Sequence, residues 1–192
     1  MKPARTPLRV IVGWLGFADR AVVATFAALG GLVASVSGAP VGAASLYALL
    51  GACCAAIMLI DFRHYLIPDF LSLPLLPAGL LVVAMADDPV APRVAAVAGL
   101  WLSLRLFASL AYRVKGVDAF GQGDVKLISV AGAWLSADAI ATFIVVSASA
   151  AVALHLFRNH FRESARESRV PFGSTLAPVL LIMALLDLVI RP

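Results

Sequence analysis

Two aspartates, each inside a distinctive short string, are the residues of this chain best suited to chemistry. Asp61 opens Asp61-Phe62-Arg63-His64-Tyr65-Leu66-Ile67-Pro68-Asp69, and Asp124 sits in Gly121-Gln122-Gly123-Asp124-Val125-Lys126-Leu127. Each stands at the edge of an apolar run. A carboxylate at the boundary of a bilayer costs free energy, so a pair of them there points to function. Two carboxylates can divide the chemistry between them. The ionised one activates a water while its protonated neighbour polarises a carbonyl. That is the chemistry of an aspartic protease embedded in a membrane. Either aspartate alone would read as a helix cap or a solvated loop charge, and Asp124 ahead of Val125-Lys126-Leu127 fits an N-cap.

The elements that must position them are membrane helices. Of the 192 residues 62% are hydrophobic and 14% charged, and the mean hydropathy is +0.98. Soluble domains carry roughly a quarter charged residues. The fold class expected is all-α: a polytopic helical bundle with about seven transmembrane helices, one of them short. The candidate spans are 21–37, 41–60, 70–86, 94–112, 140–157 and 175–190, with 125–136 as the short one. At about 1.5 Å per residue that segment reaches only about 18 Å, against a hydrocarbon core of about 30 Å. It must tilt, lie within protein, or be extended by its flanks. Residues 1–20 mix Lys2, Arg5, Arg9 and Arg20 with a short apolar stretch. They fit an interfacial lead-in to the first span better than a signal peptide, because another apolar segment follows at once. The chain therefore divides into a basic cytoplasmic segment, 1–20, and a membrane domain, 21–192.

Charge sets the expected orientation. With the N-terminus in the cytoplasm, twelve of the fifteen Lys and Arg residues fall in inside segments, among them Arg63, Arg113, Lys115, Lys126 and the cluster Arg158, Arg162, Arg166 and Arg169. Arg93 and Arg191 fall outside, and Arg105 lies within a helix. The positive-inside rule favours this arrangement. It requires 125–136 to cross, and it puts Asp61 and Asp124 at the cytoplasmic face. The sequence pI near 9.5 thus reflects membrane topology, and no nucleic acid is expected as a partner. The only cysteines, Cys53 and Cys54, are adjacent in an apolar run. Neighbours cannot easily take up disulfide geometry, and two thiols are too few for a structural zinc. No metal and no cofactor are expected.

The glycines before Asp124 allow backbone angles and close approaches that other residues resist, so they can bring the carboxylate against a neighbouring helix or an extended substrate. Gly121-x-Gly123 also begins a dinucleotide fingerprint, but position 126 is Lys and no βαβ pattern surrounds it. Lys126 either steers the site electrostatically or snorkels to headgroups. Asp69, after Pro68, binds substrate or caps the third span, the cap being the better fit. His64 reads as interfacial. Arg105 pairs with an acid or snorkels.

The paired strings resemble the two active-site motifs of type IV prepilin peptidases, in the GxGD class of intramembrane aspartic proteases. That family's first motif is an aspartate, a basic residue and then Ile-Pro-Asp or Ile-Pro-Asn, matched by Asp61, Arg63, His64 and Ile67-Pro68-Asp69. Its second is Gly-x-Gly-Asp-x-Lys-Leu, matched by Gly121 to Leu127 and followed by Gly132-Ala133-Trp134-Leu135. Pro171-Phe172-Gly173 matches a third feature, before the last helix. The resemblance covers roughly residues 45–190. It implies Asp61 and Asp124 as catalytic residues, with Gly121, Gly123, Lys126, Asp69 and Pro68 as supporting or substrate-binding residues. It leaves open which aspartate is base and which is acid.

The resemblance also implies a prepilin or pseudopilin substrate, cut after a glycine that ends a short basic leader. The setting would be the bacterial inner membrane, with the lipid bilayer as the other partner. Larger members carry a cysteine-clustered cytoplasmic portion that methylates the new N-terminus. No such cluster occurs here, so the chain looks like the small peptidase-only type, similar to those that serve Flp pili. Two other readings stay in competition. One is a proton-coupled transporter using the aspartates as a relay, which would favour carboxylates nearer the midplane and repeat symmetry. The other is a non-catalytic membrane subunit of a pilus or secretion assembly. The sequence leaves the oligomeric state open.

Overall fold

The computed structural model describes residues 16–116, 121–161 and 171–190. Among them are eight α-helices and no strand: α1 (Phe17–Val36), α2 (Val41–His64), α3 (Asp69–Ser72), α4 (Leu75–Met85), α5 (Val90–Lys115), α6 (Gln122–Trp134), α7 (Ala137–Phe161) and α8 (Gly173–Ile190). The all-helical class follows from the runs of apolar residues, because a backbone in lipid must satisfy its own hydrogen bonds. Five helices are long and apolar enough to cross a membrane: α1, α2, α5, α7 and α8. The chain is a multi-pass membrane protein.

Two expected spans take another form. The segment expected at 70–86 is split into α3 and α4 at Pro74, which has no N–H to continue the α-helical ladder. The short segment expected at 125–136 becomes the 13-residue α6, nine of whose residues are buried. It packs against α5, α4, α8 and α7. A helix enclosed by protein need not match the thickness of a bilayer, which accounts for its length. The first helix takes in Phe17 to Arg20, so the expected boundary at residue 20 falls inside it. Residues 1–15, and 162–170 of the expected basic loop, lie outside the described residues.

The core runs along α2, α6 and α8. It is built from Leu50, Ile57 and Ile60, from Leu127 and Val130, and from Leu176, Leu180 and Leu181, all almost wholly buried. Polar contacts brace it away from the motifs. Trp134 donates from Nε1 to the Leu75 carbonyl at 2.8 Å and meets the Tyr47 ring edge-on at 5.3 Å. Asp187 accepts from both the backbone N–H and the Oγ of Ser136, at 2.8 and 2.9 Å, and so closes the start of α7 from α8. In contrast, α5 has no fully buried residue among those described, although Val97, Leu100 and Leu104 pack against the core. Arg105 lies over the Trp101 ring, 5.7 Å from its centre.

Candidate active site

Asp61 belongs to the last turn of α2. The helix ends at Tyr65, which takes the left-handed conformation at φ 52° while its N–H returns to the Asp61 carbonyl at 2.9 Å. The chain then turns through Ile67 and Pro68, both buried, into α3. The Asp61 side chain is itself buried, with 5% exposure. Its Oδ2 accepts the Ser174 backbone N–H at 2.7 Å. That donor belongs to the first turn of α8, so the third sequence feature meets the first.

Asp124 is not an N-cap. Gly121 occupies that position, and Asp124 stands three residues on. Its carboxylate reaches back to accept the Gly121 N–H, which is the acidic half of a capping box. Asp124 lies ahead of the apolar part of α6 and outside the five long spans. Burial pushes its carboxyl from the ordinary 3.8 up to about 6, the charge of Asp61 pushes the same way, and the Gly121 N–H pulls it back. The two aspartates therefore feel each other, although 63 residues separate them in the chain.

Ile67 stands between the two halves. A Cβ added at Gly123 would lie 2.9 Å from Ile67 Cβ, and one at Gly173 would lie 2.6 Å from Ile67 Cδ1 and 3.0 Å from Asp61 Cγ. The glycine at 123 is thus needed for close approach. The expected use of unusual backbone angles is not what Gly123 supplies, since it lies inside α6; the positive-φ glycines among the described residues are Gly38 and Gly116.

The charged neighbours are closed in pairs. Lys126 Nζ meets Asp69 Oδ1 at 2.6 Å and ties α6 to the start of α3. Asp69 is the first residue of α3 and Pro68 precedes it as N-cap, so Asp69 does not take the expected cap position. Arg63 grips Asp19 of α1 with two hydrogen bonds, at 2.6 and 2.7 Å. Asp19 also accepts the Gly16 N–H at 2.8 Å. Sequence reading missed Asp19, and a signal was present: Gly16-x-x-Asp19 repeats the spacing of Gly121-x-x-Asp124. The roles of Ile67 and Ser174 had no such signal, because one is a contact of shape and the other a backbone donor. Among the described residues, no three His, Cys, Asp or Glu side chains come together in a way that could hold a metal ion.

A multi-pass helical membrane protein with two interacting carboxylates at helix ends is the class that fold and site define. The model of the type IV leader peptidase family matches residues 48–156, a stretch that contains both aspartates. The chain belongs to that family. A prepilin leader peptidase/N-methyltransferase of Burkholderia pseudomallei is 34% identical over 180 residues, covering 90% of this chain and 54% of that protein. Proteins of the same name from Pseudomonas aeruginosa and Dickeya chrysanthemi are 33% and 31% identical over 127 residues, each covering 64% of this chain and 42% or 44% of the relative. The chain thus spans about half the length of the curated relatives it matches. No solved structure matches it significantly.

Proposed function

We propose that the protein is an aspartic endopeptidase that removes the basic leader from type IV prepilins or pseudopilins at the cytoplasmic face of the inner membrane, with Asp61 and Asp124 as its catalytic pair. The observation that supports this reading is the packing of the Asp61 and Asp124 ends of α2 and α6 about Ile67, with Asp61 held by the Ser174 N–H and its charge acting on Asp124. Family membership supports the peptidase chemistry and a prepilin substrate. The cytoplasmic placement rests on the distribution of Lys and Arg. Methyl transfer, which the relatives' names include, has no support in the residues of this chain.

In the proposed reaction the pair holds one proton between two carboxylates. The ionised member takes a proton from a water as its oxygen attacks the scissile carbonyl carbon. The protonated member donates to the carbonyl oxygen, giving a neutral gem-diol. The C–N bond then breaks as a proton passes to the leaving nitrogen, and the pair returns to its singly protonated state. Gly123 lets the start of α6 approach Ile67 closely, Gly121 leaves room for the Asp124 carboxylate, and the Lys126–Asp69 bridge joins that start to the turn after Asp61.

The test is the purified protein in lipid nanodiscs with a synthetic prepilin-like peptide: a basic leader, a glycine and an apolar helix. Cleavage after the glycine, lost in both Asp61→Asn and Asp124→Asn, is the expected result. An intact peptide, or cleavage that survives either substitution, would refute the proposal.

A further inference from the structure

The first turn of α8 lies outside the segment that matches the family, and Ser174 follows Asp61 by 113 residues. We infer that this turn positions Asp61, through the Ser174 backbone N–H and the side-chain-free approach at Gly173. The inference rests on the reading of Asp61 as a catalytic residue and concerns how it is held.

The first N–H groups of any α-helix have no acceptor within that helix. In α8 the groups at Thr175 and Leu176 turn to the Phe172 carbonyl, at 3.1 and 3.0 Å. That at Ser174 turns to Asp61 Oδ2, at 2.7 Å. A carboxylate at 5% exposure needs such donors, because burial without them is costly. The Ser174 hydroxyl takes no part in this, since it bonds back to the Pro171 carbonyl at 2.7 Å. The contact is therefore made by the backbone, and it fixes Oδ2 in direction as well as in place. Gly173 makes the approach possible, since its Cβ would come 3.0 Å from Asp61 Cγ and closer still to Ile67. Ile67 in turn abuts Gly123, next to Asp124. One side chain thus spaces the first turns of α6 and α8, and each of those turns supplies a backbone donor to one carboxylate. A turn that only anchored α8 to the bundle would need none of this directionality. Apolar contacts of Leu176 and Leu180 would suffice for that.

Replacing Ser174 by its α-hydroxy analogue turns one amide into an ester. It deletes the N–H and keeps the shape. In the full-length protein in nanodiscs, cleaving the prepilin-like peptide, kcat should fall at least tenfold on this scale of positioning effects, with KM within twofold. The same exchange at Leu176 deletes an N–H that bonds the Phe172 carbonyl and not Asp61, and kcat should fall less than threefold. Gly173→Ala, whose Cβ would crowd Ile67 and Asp61, should lower kcat with KM within twofold. Equal losses from the two esters, a loss confined to KM, or a Ser174 ester as fast as the unsubstituted protein would each overturn the inference and leave the peptidase reading standing. An unsubstituted protein that cleaves nothing would overturn the peptidase reading, and this inference with it.

Discussion

Gly123→Ala adds one carbon, and the structure says where it goes. The new Cβ would lie 2.9 Å from Ile67 Cβ, 3.3 Å from its Cγ1 and 3.4 Å from its Cδ1. Carbon atoms rest about 3.5–4.0 Å apart, so roughly 0.6–1 Å must open between α6 and the turn after Asp61. Ile67 cannot retreat freely, because the same side chain already fills the space left at Gly173. The movement then falls on the start of α6, which carries Asp124 as the next residue. A displacement of about 1 Å at a reacting group costs on the order of 100-fold in rate, so the expected loss is about 10- to 100-fold. The assay is initial cleavage rate at matched amounts of inserted protein. A second substitution separates this cause from general disturbance. Ile67→Val removes Cδ1 and keeps Cβ. It should not rescue Gly123→Ala, where Cβ is the nearest atom, and it should partly rescue Gly173→Ala, where Cδ1 is. A Gly123→Ala protein at full rate, or equal rescue of both by Ile67→Val, would refute the reasoning.

Asp61→Asn and Asp124→Asn should each abolish cleavage while insertion persists, and the double substitution should cost little more than either, as read by single-turnover assays on all three. The raised value of Asp124 carries a stability consequence. Its folded form holds a proton more tightly than the unfolded chain, so stability should fall as pH rises from about 4 to about 6, and unfolding temperatures at pH 4.5 and 7 should differ less in Asp124→Asn. Reporter fusions after residues 64, 88, 118, 137 and 164 should read in, out, in, out, in; residue 118 outside with 64 inside would separate the aspartates and remove the mechanism.

The helical class was legible because apolar runs of about twenty residues admit few other structures. So were the two aspartates, because a charge at the edge of such a run stands out. The break at Pro74 was written in the sequence and was passed over, since the surrounding residues are apolar enough to span. What stayed hidden was of another kind. The Ser174 N–H belongs to every residue type but proline, so no sequence pattern announces the one that meets Asp61. The burial of α6 was one of three readings its length allowed, because a short apolar helix reads the same whether protein or lipid surrounds it. Asp19 had a signal in its Gly16-x-x-Asp19 spacing, but ahead of the first expected span a carboxylate reads as a loop charge.

Four carboxylates gather around the two motifs, and their partners sort them. Asp19 and Asp69 each face a cation, Arg63 and Lys126. Asp61 and Asp124 face backbone N–H groups, and each other's charge. The difference has a chemical consequence. The Arg63 guanidinium holds the Asp19 carboxyl below the ordinary carboxylate range, which makes it a poor proton carrier near neutral pH. A carboxylate held by amide donors keeps its position without a full countercharge, so it can gain and lose a proton while staying in place. The two cation bridges also spare the pair from competing charges, because each of these cations is already engaged by another acid. Bringing a new cation to the site should therefore do more damage than its size suggests. Ser174→Lys offers the comparison with Ser174→Met, a side chain of similar reach without charge. If the pair works by cycling one proton, the lysine variant should lose at least tenfold more kcat than the methionine variant at equal KM. Equal rates for the two would mean that charge balance at the pair does not govern the reaction.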